Sequence, residues 1–225
     1  MNGLFITGTD TGVGKTVVAC ALARALVRAG HAVAVRKPVE SGCTLRDGTL
    51  WPADGAALRR AAGDQETLST VTPLRLRHAL SPERAAHLEG TSLRLYELIA
   101  AARTGPPDAF YLIEGAGGFL SPLAQDGLNA DLAVMLGLPV VIVAADRLGC
   151  INHTLLTAEA IEARGLALTA VVVDAVDAPE HGAMDNCEDL AARLSVPVIG
   201  FGHGPEDRQA AERLVEALGA TPRTA

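Results

Sequence analysis

Nine consecutive residues carry the densest chemistry in the chain: Gly8-Thr9-Asp10-Thr11-Gly12-Val13-Gly14-Lys15-Thr16. They follow a short apolar run and open a helical one. Glycines let the backbone turn so that successive N–H groups face one point, and a helix N-terminus adds partial positive charge there. Such a loop cradles phosphate oxygens. Lys15 would reach the terminal phosphates, and the Thr16 hydroxyl is a ligand type for Mg²⁺. The spacing approaches G-x-x-x-x-G-K-[ST], with one departure. Thr9 stands where the strict pattern has glycine, and five residues rather than four separate Gly8 from Gly14. Gly12, Val13, Gly14, Lys15, Thr16 and Val17 are the nucleotide-contacting candidates. The alternative is a glycine-rich turn that only starts a helix.

The chain has 19 Lys and Arg residues, of which Lys15 and Lys37 are the only lysines. Lys37 closes an apolar run, and Pro38 holds it extended. A flexible point charge can follow a phosphoryl oxygen from donor to acceptor, whereas the planar fork of Arg prefers one fixed partner. Phosphoryl transfer also needs carboxylates around a divalent ion. Glu114 closes a later apolar run and precedes Gly115-Ala116-Gly117-Gly118. Asp54 starts a helix, where it reads equally as an N-cap or as a metal ligand.

The elements that must position these groups alternate between strand and helix. Strands are predicted over Gly3–Thr7, Ala32–Arg36, Ala109–Ile113, Val140–Ala144, Leu168–Val173 and Pro197–Ile199. Helices are predicted over Thr16–Ala29, Asp54–Ala62, Asn129–Leu136, Asn152–Ala163, Asp185–Leu194 and Arg208–Leu218, with two more starting near Ser81-Pro82 and Ser92. This rhythm implies an α/β fold: a mostly parallel sheet with helices on both faces, in one domain over 1–225. Ligands of such sheets bind at the carboxyl ends of the strands. The loops at 8–16, 37–54, 114–118, 146–152 and 174–184 are therefore the expected seats of chemistry.

Composition narrows the function. Hydrophobic residues make up 49% and aromatics 3%, so the core is built from Ala, Val, Leu and Ile. The net charge of −7 argues against a nucleic-acid face. Cys20, Cys43, Cys150 and Cys187 form no CxxC pair, and reduced thiols in a cytoplasmic protein are expected. The start has no basic leader, and the most apolar later stretch, 138–145, is shorter than the ~20 residues that span a bilayer.

Four motifs in order carry a resemblance: Gly8-Thr9-Asp10-Thr11-x-Val13-Gly14-Lys15-Thr16, Lys37-Pro38-Val39-x-Ser41-Gly42, Glu114-Gly115-Ala116-Gly117-Gly118 and Leu148-Gly149-Cys150-Ile151-Asn152-His153. With them the chain resembles the dethiobiotin synthase family of P-loop enzymes, over about residues 3 to 200. The resemblance implies closure of a ureido ring from 7,8-diaminopelargonic acid, CO₂ and ATP, with Mg²⁺, in a homodimer. It implies that Lys15 and Lys37 contact phosphate and carbamate oxygens, and that Thr16, Asp54 and Glu114 hold the metal. Thr11 and Ser41 match positions that bind substrate or phosphates. Asn152 and its neighbouring N–H groups match a site for the distant substrate carboxylate, reached across the dimer interface. Asp174 and Gly202 match base-contacting positions.

The chain departs from the family at three places. Gly12 replaces a glutamate that some members carry. Asp174-Ala175 stands where Asn-Asp is frequent. Asn both donates and accepts, whereas ionised Asp only accepts, so relaxed discrimination for ATP is expected. The segment Gly200-Phe201-Gly202-His203-Gly204 lacks the usual proline. Two rivals share the P-loop class. Amide-forming ligases of the cobyrinic type carry a glutaminase domain, for which this chain has no room. Partition ATPases carry an additional lysine early in the P-loop, where 9–13 has none.

Overall fold

A computed structural model describes residues 1–176, 183–202 and 207–217. Its centre is a sheet of six parallel strands: β1 (Asn2–Gly8), β2 (Val33–Arg36), β3 (Phe110–Gly118), β4 (Val140–Ala145), β5 (Leu168–Asp174) and β6 (Val198–Phe201). Their spatial order is β6-β5-β4-β1-β3-β2. The described helices are α1 (Lys15–Arg28), α2 (Ala53–Ala61), α3 (Leu68–Val71), α4 (Pro82–Leu88), α5 (Leu95–Arg103), α6 (Asn129–Leu136), α7 (Cys150–Glu162), α8 (Asn186–Ala191) and α9 (Arg208–Ala217).

The inner strands β4 and β5 are almost continuously apolar because both faces are covered. Successive side chains on a strand point to opposite faces. Leu4, Ile6, Val141, Val143 and Val172 accordingly pack with Val18, Leu22 and Leu26 of α1, Leu58 of α2 and Leu214 of α9. Phe5, Val140, Ile142, Val171 and Val173 pack on the other face with Leu98 of α5, Leu132 of α6, Ile161 of α7 and Leu190 of α8. Alanines at 19, 21, 23 and 25 are buried along α1, small enough to let the helix lie close to the sheet where a core poor in aromatics has little bulk to fill space.

From β1 the chain runs outward to β2 and back to β3. It then crosses to β4 on the other side of β1. The strand order therefore reverses at β1, and a crevice opens at the carboxyl end of that strand. The loop 9–14 occupies this place.

Three expectations are revised in detail. Residues 114–118 continue β3 rather than leaving it as a loop. After a bulge between Ile6 and Gly8, Gly8 pairs with Gly118. Asn129 holds this strand end: its side-chain oxygen accepts from Ala116 N at 3.1 Å, and its amide donates to the carbonyls of Ala116 and Gly118. The helix expected near Ser92 starts at Leu95, because Glu97 accepts the Arg94 N–H at 3.0 Å and Asp126 accepts the Leu95 N–H at 2.8 Å. Helix α7 starts at Cys150 after a left-handed Gly149, so Asn152 sits inside its first turn. Small strand pairs also escaped the sequence reading, namely Val39–Glu40 with Leu74–Arg75 and the hairpin Thr44–Arg46/Thr49–Trp51. Residues 177–182, 203, 204 and 218, which fall in expected segments, lie outside the described residues.

Candidate active site

The P-loop is shaped by its own side chains and by the sheet behind it. Thr9 N–H donates to Val143 O at 3.0 Å, tying the loop to β4. Asp10 Oδ1 accepts from Thr11 N–H at 2.7 Å, and Lys15 Nζ donates to Asp10 O at 2.8 Å. Gly14, at φ 90°, caps α1 in the left-handed region. A Cβ there would sit 1.8 Å from Asp174 Oδ2. Glycine at 14 is thus required twice, by its dihedral and by the carboxylate at the end of β5.

Facing the loop is a cavity of about 570 Å³. Thr11, Gly12, Gly14, Lys15, Thr16, Val17, Lys37, Ser41, Asp54, Glu114, Ala116 and Gly117 all line it. Three strands and one helix deliver these groups: β1 through the loop, β2 through Lys37, β3 through Glu114, and α2 through Asp54. Val13 is instead a core residue. Gly115 lies behind the wall, where a Cβ would be 2.9 Å from Asn129 Oδ1. Asp174 and Gly202 are outside the lining, with Asp174 pressed against Gly14 and Gly202 N–H donating to Asp207 Oδ2 at 2.9 Å. Asn152 is exposed on α7 and is not brought to the cavity.

Lys37 is the centre of a tight ionic network. Its Nζ donates to Glu114 Oε1 at 2.7 Å and to Asp54 Oδ2. Thr16 Oγ1 donates to the same Glu114 Oε1 at 2.8 Å. Burial works against the charge of Lys37, but the Glu114 and Asp54 carboxylates outweigh it and hold the ammonium above the usual lysine range. For Lys15 burial prevails: it pushes the pKa down, and Glu114 only partly offsets it.

The same residues fit a divalent ion. Glu114 is 1% exposed, and its Oε2 has no hydrogen-bond partner. A buried carboxylate oxygen without a partner is costly, and a hard cation would satisfy it. The donor set of one hydroxyl and two carboxylates suits Mg²⁺, which keeps positions for phosphate oxygens and water. Among the described residues there is no group of three or more His, Cys, Asp or Glu that would cage a metal by itself. Charge points the same way. Two ammonium groups and three carboxylates, those of Glu40, Asp54 and Glu114, line the cavity. A polyphosphate entering it therefore needs an accompanying cation.

Two functional side chains escaped the sequence reading. Glu40 accepts from Asp54 N–H at 3.1 Å and Gly55 N–H at 2.9 Å. Arg36, fully buried, makes a two-pronged pair with Glu66 at 2.7 Å, donates to Thr104 O and stacks over Tyr111 at 5.5 Å. It anchors the end of β2 just before Lys37. Both side chains act through tertiary contacts, which no local spacing reveals. The four thiols are free. Burial raises all of them, Cys20 to about 12 and Cys43 and Cys187 to about 11, which disfavours the thiolate at each.

Comparison with known proteins agrees with this geometry. A family model described as "AAA domain" matches residues 2–208. Solved cell-division proteins share the fold at low identity. A chain of the MinC:MinD cell division protein complex from Aquifex aeolicus has TM-score 0.55 and 16% identity over 95% of this chain and 86% of that one. The septum site-determining protein MinD from Pyrococcus horikoshii OT3, solved with Mg-ADP, has TM-score 0.52 and 17% identity over 100% and 90%. The curated relatives are far closer in sequence. ATP-dependent dethiobiotin synthetase BioD of Anaeromyxobacter dehalogenans (strain 2CP-1 / ATCC BAA-258) is 41% identical over 98% of both chains. The enzyme of the same name from Caulobacter vibrioides (strain NA1000 / CB15N) is 42% identical over 89% of this chain and 94% of its own. At that identity, over nearly the whole length, the chain belongs to the ATP-dependent dethiobiotin synthetase family.

Proposed function

We propose that this chain is an ATP-dependent ligase that forms dethiobiotin from 7,8-diaminopelargonic acid and CO₂, in the biosynthesis of biotin. One amine adds to CO₂ and loses a proton, giving a carbamate. A carbamate oxygen then attacks the γ-phosphorus of ATP and ADP departs, leaving a carbamic–phosphoric anhydride. The second amine attacks the carbonyl carbon and loses a proton, and phosphate leaves as the ring closes. Carbamate and γ-phosphate are both anions, so their approach must be screened. Catalysis is then positioning and charge stabilisation, with no covalent intermediate on the protein.

The observation that supports this reading most is the convergence of Lys15, Lys37, Thr16, Asp54 and Glu114 on one cavity. The P-loop N–H groups hold the phosphates, and Lys15 balances their terminal charge. Lys37 follows the transferred charge from donor to acceptor oxygen. Thr16, Asp54 and Glu114 would hold Mg²⁺, which supplies a further positive charge beside the phosphates. Thr11 and Ser41 line the cavity and are assigned to the substrate. Asp174 and Gly202, beyond Gly14, are assigned to the base. We place the enzyme in the cytoplasm as a single domain that pairs into a homodimer, in which Asn152 serves the partner's substrate carboxylate. Exposed Leu120 and Leu156, which line a shallow cleft with Thr9 and Asp10 of the P-loop, support a second copy at this edge. Among the described residues, no helix is long and apolar enough to cross a membrane.

The mechanism is tested with ¹⁸O-labelled bicarbonate. Because a carbamate oxygen forms the new bond to phosphorus and stays with it when the ring closes, label is expected in the released phosphate. Unlabelled phosphate, with dethiobiotin formed at the normal rate, would overturn the anhydride route.

A further inference from the structure

Helix α2 carries Asp54 one residue after its start, yet its N-cap is Pro52, which supplies no side-chain cap. The cap comes from fourteen residues earlier in the chain. The Glu40 carboxylate, 5% exposed, takes the Asp54 N–H on Oε1 and the Gly55 N–H on Oε2. Two free helix N–H groups and the positive end of the helix dipole therefore converge on one buried anion. The fit is close: a Cβ on Gly55 would lie 2.0 Å from Thr72 Oγ1 and 3.6 Å from Glu40 Oε2. Glu40 is itself fixed, since its carbonyl accepts the Leu76 N–H at 2.9 Å and its strand pairs with Leu74–Arg75. The residue lies three positions after Lys37, at the one place in Lys37-Pro38-Val39-x-Ser41-Gly42 that the motif leaves open.

We propose that Glu40 is a positioning residue. By clamping the second and third N–H groups of α2, those of Asp54 and Gly55, to the Lys37 loop, it fixes the distance between Asp54 and Lys37 and so sets the Asp54 carboxylate for the metal. It acts through Asp54, whose backbone N–H it holds. Without it, α2 keeps its packing through Leu58 and Ala61, but its first turn loses the tether and Asp54, whose side chain is 44% exposed, samples other orientations. The inference rests on the proposed role of Asp54 as a metal ligand.

The test is the affinity of the protein for Mn²⁺, read from the free-ion EPR signal in the presence of an unreactive ATP analogue. Glu40→Ala should weaken Mn²⁺ binding about 10-fold, as loss of a group behind a metal ligand does. Glu40→Gln, of equal volume and keeping one acceptor oxygen, should lose about 3-fold, and the metal-free affinity for the analogue should stay within about twofold in both. If Glu40→Ala does not fold, the volume-matched Gln variant decides alone. In an Asp54→Asn background Glu40→Ala should add less than about twofold, because the two changes act on one contact. Unchanged Mn²⁺ affinity in both Glu40 variants, or full additivity with Asp54→Asn, overturns the proposal. If Asp54→Asn itself leaves Mn²⁺ affinity unchanged, the metal reading of Asp54 is what fails, and the Glu40 inference falls with it.

Discussion

Lys37 Nζ, just past the end of β2, and Glu114 Oε1, in the middle of the adjacent β3, lie 2.7 Å apart, with side chains 7% and 1% exposed. A buried ion pair contributes little net stability when complete, but breaking one leaves an uncompensated charge. Glu114→Gln should therefore lower stability by about 2 kcal/mol rather than more, because Asp54 still faces Lys37. Turnover should fall at least about 100-fold, since the same carboxylate is proposed for the metal. Thermal melts and rates on one preparation check this, and a variant as active as its parent would remove Glu114 from the site.

The Lys37 ammonium donates to two carboxylates at once in a buried pocket. A guanidinium is larger, planar and fixed in its donor directions. Lys37→Arg should cut kcat sharply, by about 100-fold or more, while ATP affinity measured by calorimetry stays within a few-fold. Near-parental kcat would refute the argument that a point charge is needed here.

Gly14→Ala places a methyl group 1.8 Å from Asp174 Oδ2 at φ 90°. The dihedral alone costs about 1 kcal/mol, and the clash adds to it. ATP binding should weaken at least about 10-fold. Part of that loss should return in the Gly14→Ala, Asp174→Ala double variant. Equal loss in both would mean that the dihedral alone matters.

Burial, with the charge of Asp207 second, raises the Asp174 carboxyl from 3.8 to about 6. Between those values the unfolded chain has lost a proton that the folded chain keeps, so stability falls as pH rises from about 4 to about 6 and is flat above. Asp174→Asn removes this penalty. It should be more stable than the parent by about 2 kcal/mol at pH 8 and equal to it near pH 4, as denaturant titrations at the two pH values would show. The change also restores a donor where ionised Asp only accepts. The ratio of kcat/KM for ATP over CTP and GTP should rise in the variant. A parent already strongly selective for ATP, with selectivity lost in Asp174→Asn, would contradict the relaxed reading of the base.

The alternation of apolar runs with helical stretches placed all six sheet strands, because the inner ones are buried on both faces and read as apolar runs. Lys15, Thr16, Lys37, Asp54 and Glu114 were legible for a related reason. Lys15, Thr16, Lys37 and Asp54 stand at a strand end or helix start, Glu114 closes the apolar run of β3, and a parallel sheet gathers such places on one edge. What stayed hidden was cross-chain. Glu40 caps a helix across a hairpin, Arg36 binds Glu66 thirty residues away, and Asn129 pins the end of β3, none of which has a local spacing. The extension of β3 through Gly115–Gly118 was missed because a glycine-rich segment reads as a loop until the pairing with Gly8 is seen. The hairpin at 44–51 could have been found, since Asp47-Gly48 is a two-residue turn signal and both residues have positive φ.

In the proposed mechanism this cavity couples ATP cleavage to ring closure on the diamine, with Lys15 and Lys37 as the charges that let two anions meet. Phosphate release should be measured with ATP, Mg²⁺ and bicarbonate, with and without 7,8-diaminopelargonic acid. Release is expected to depend on the diamine and to match dethiobiotin mole for mole. Phosphate released at the same rate without the diamine would contradict it.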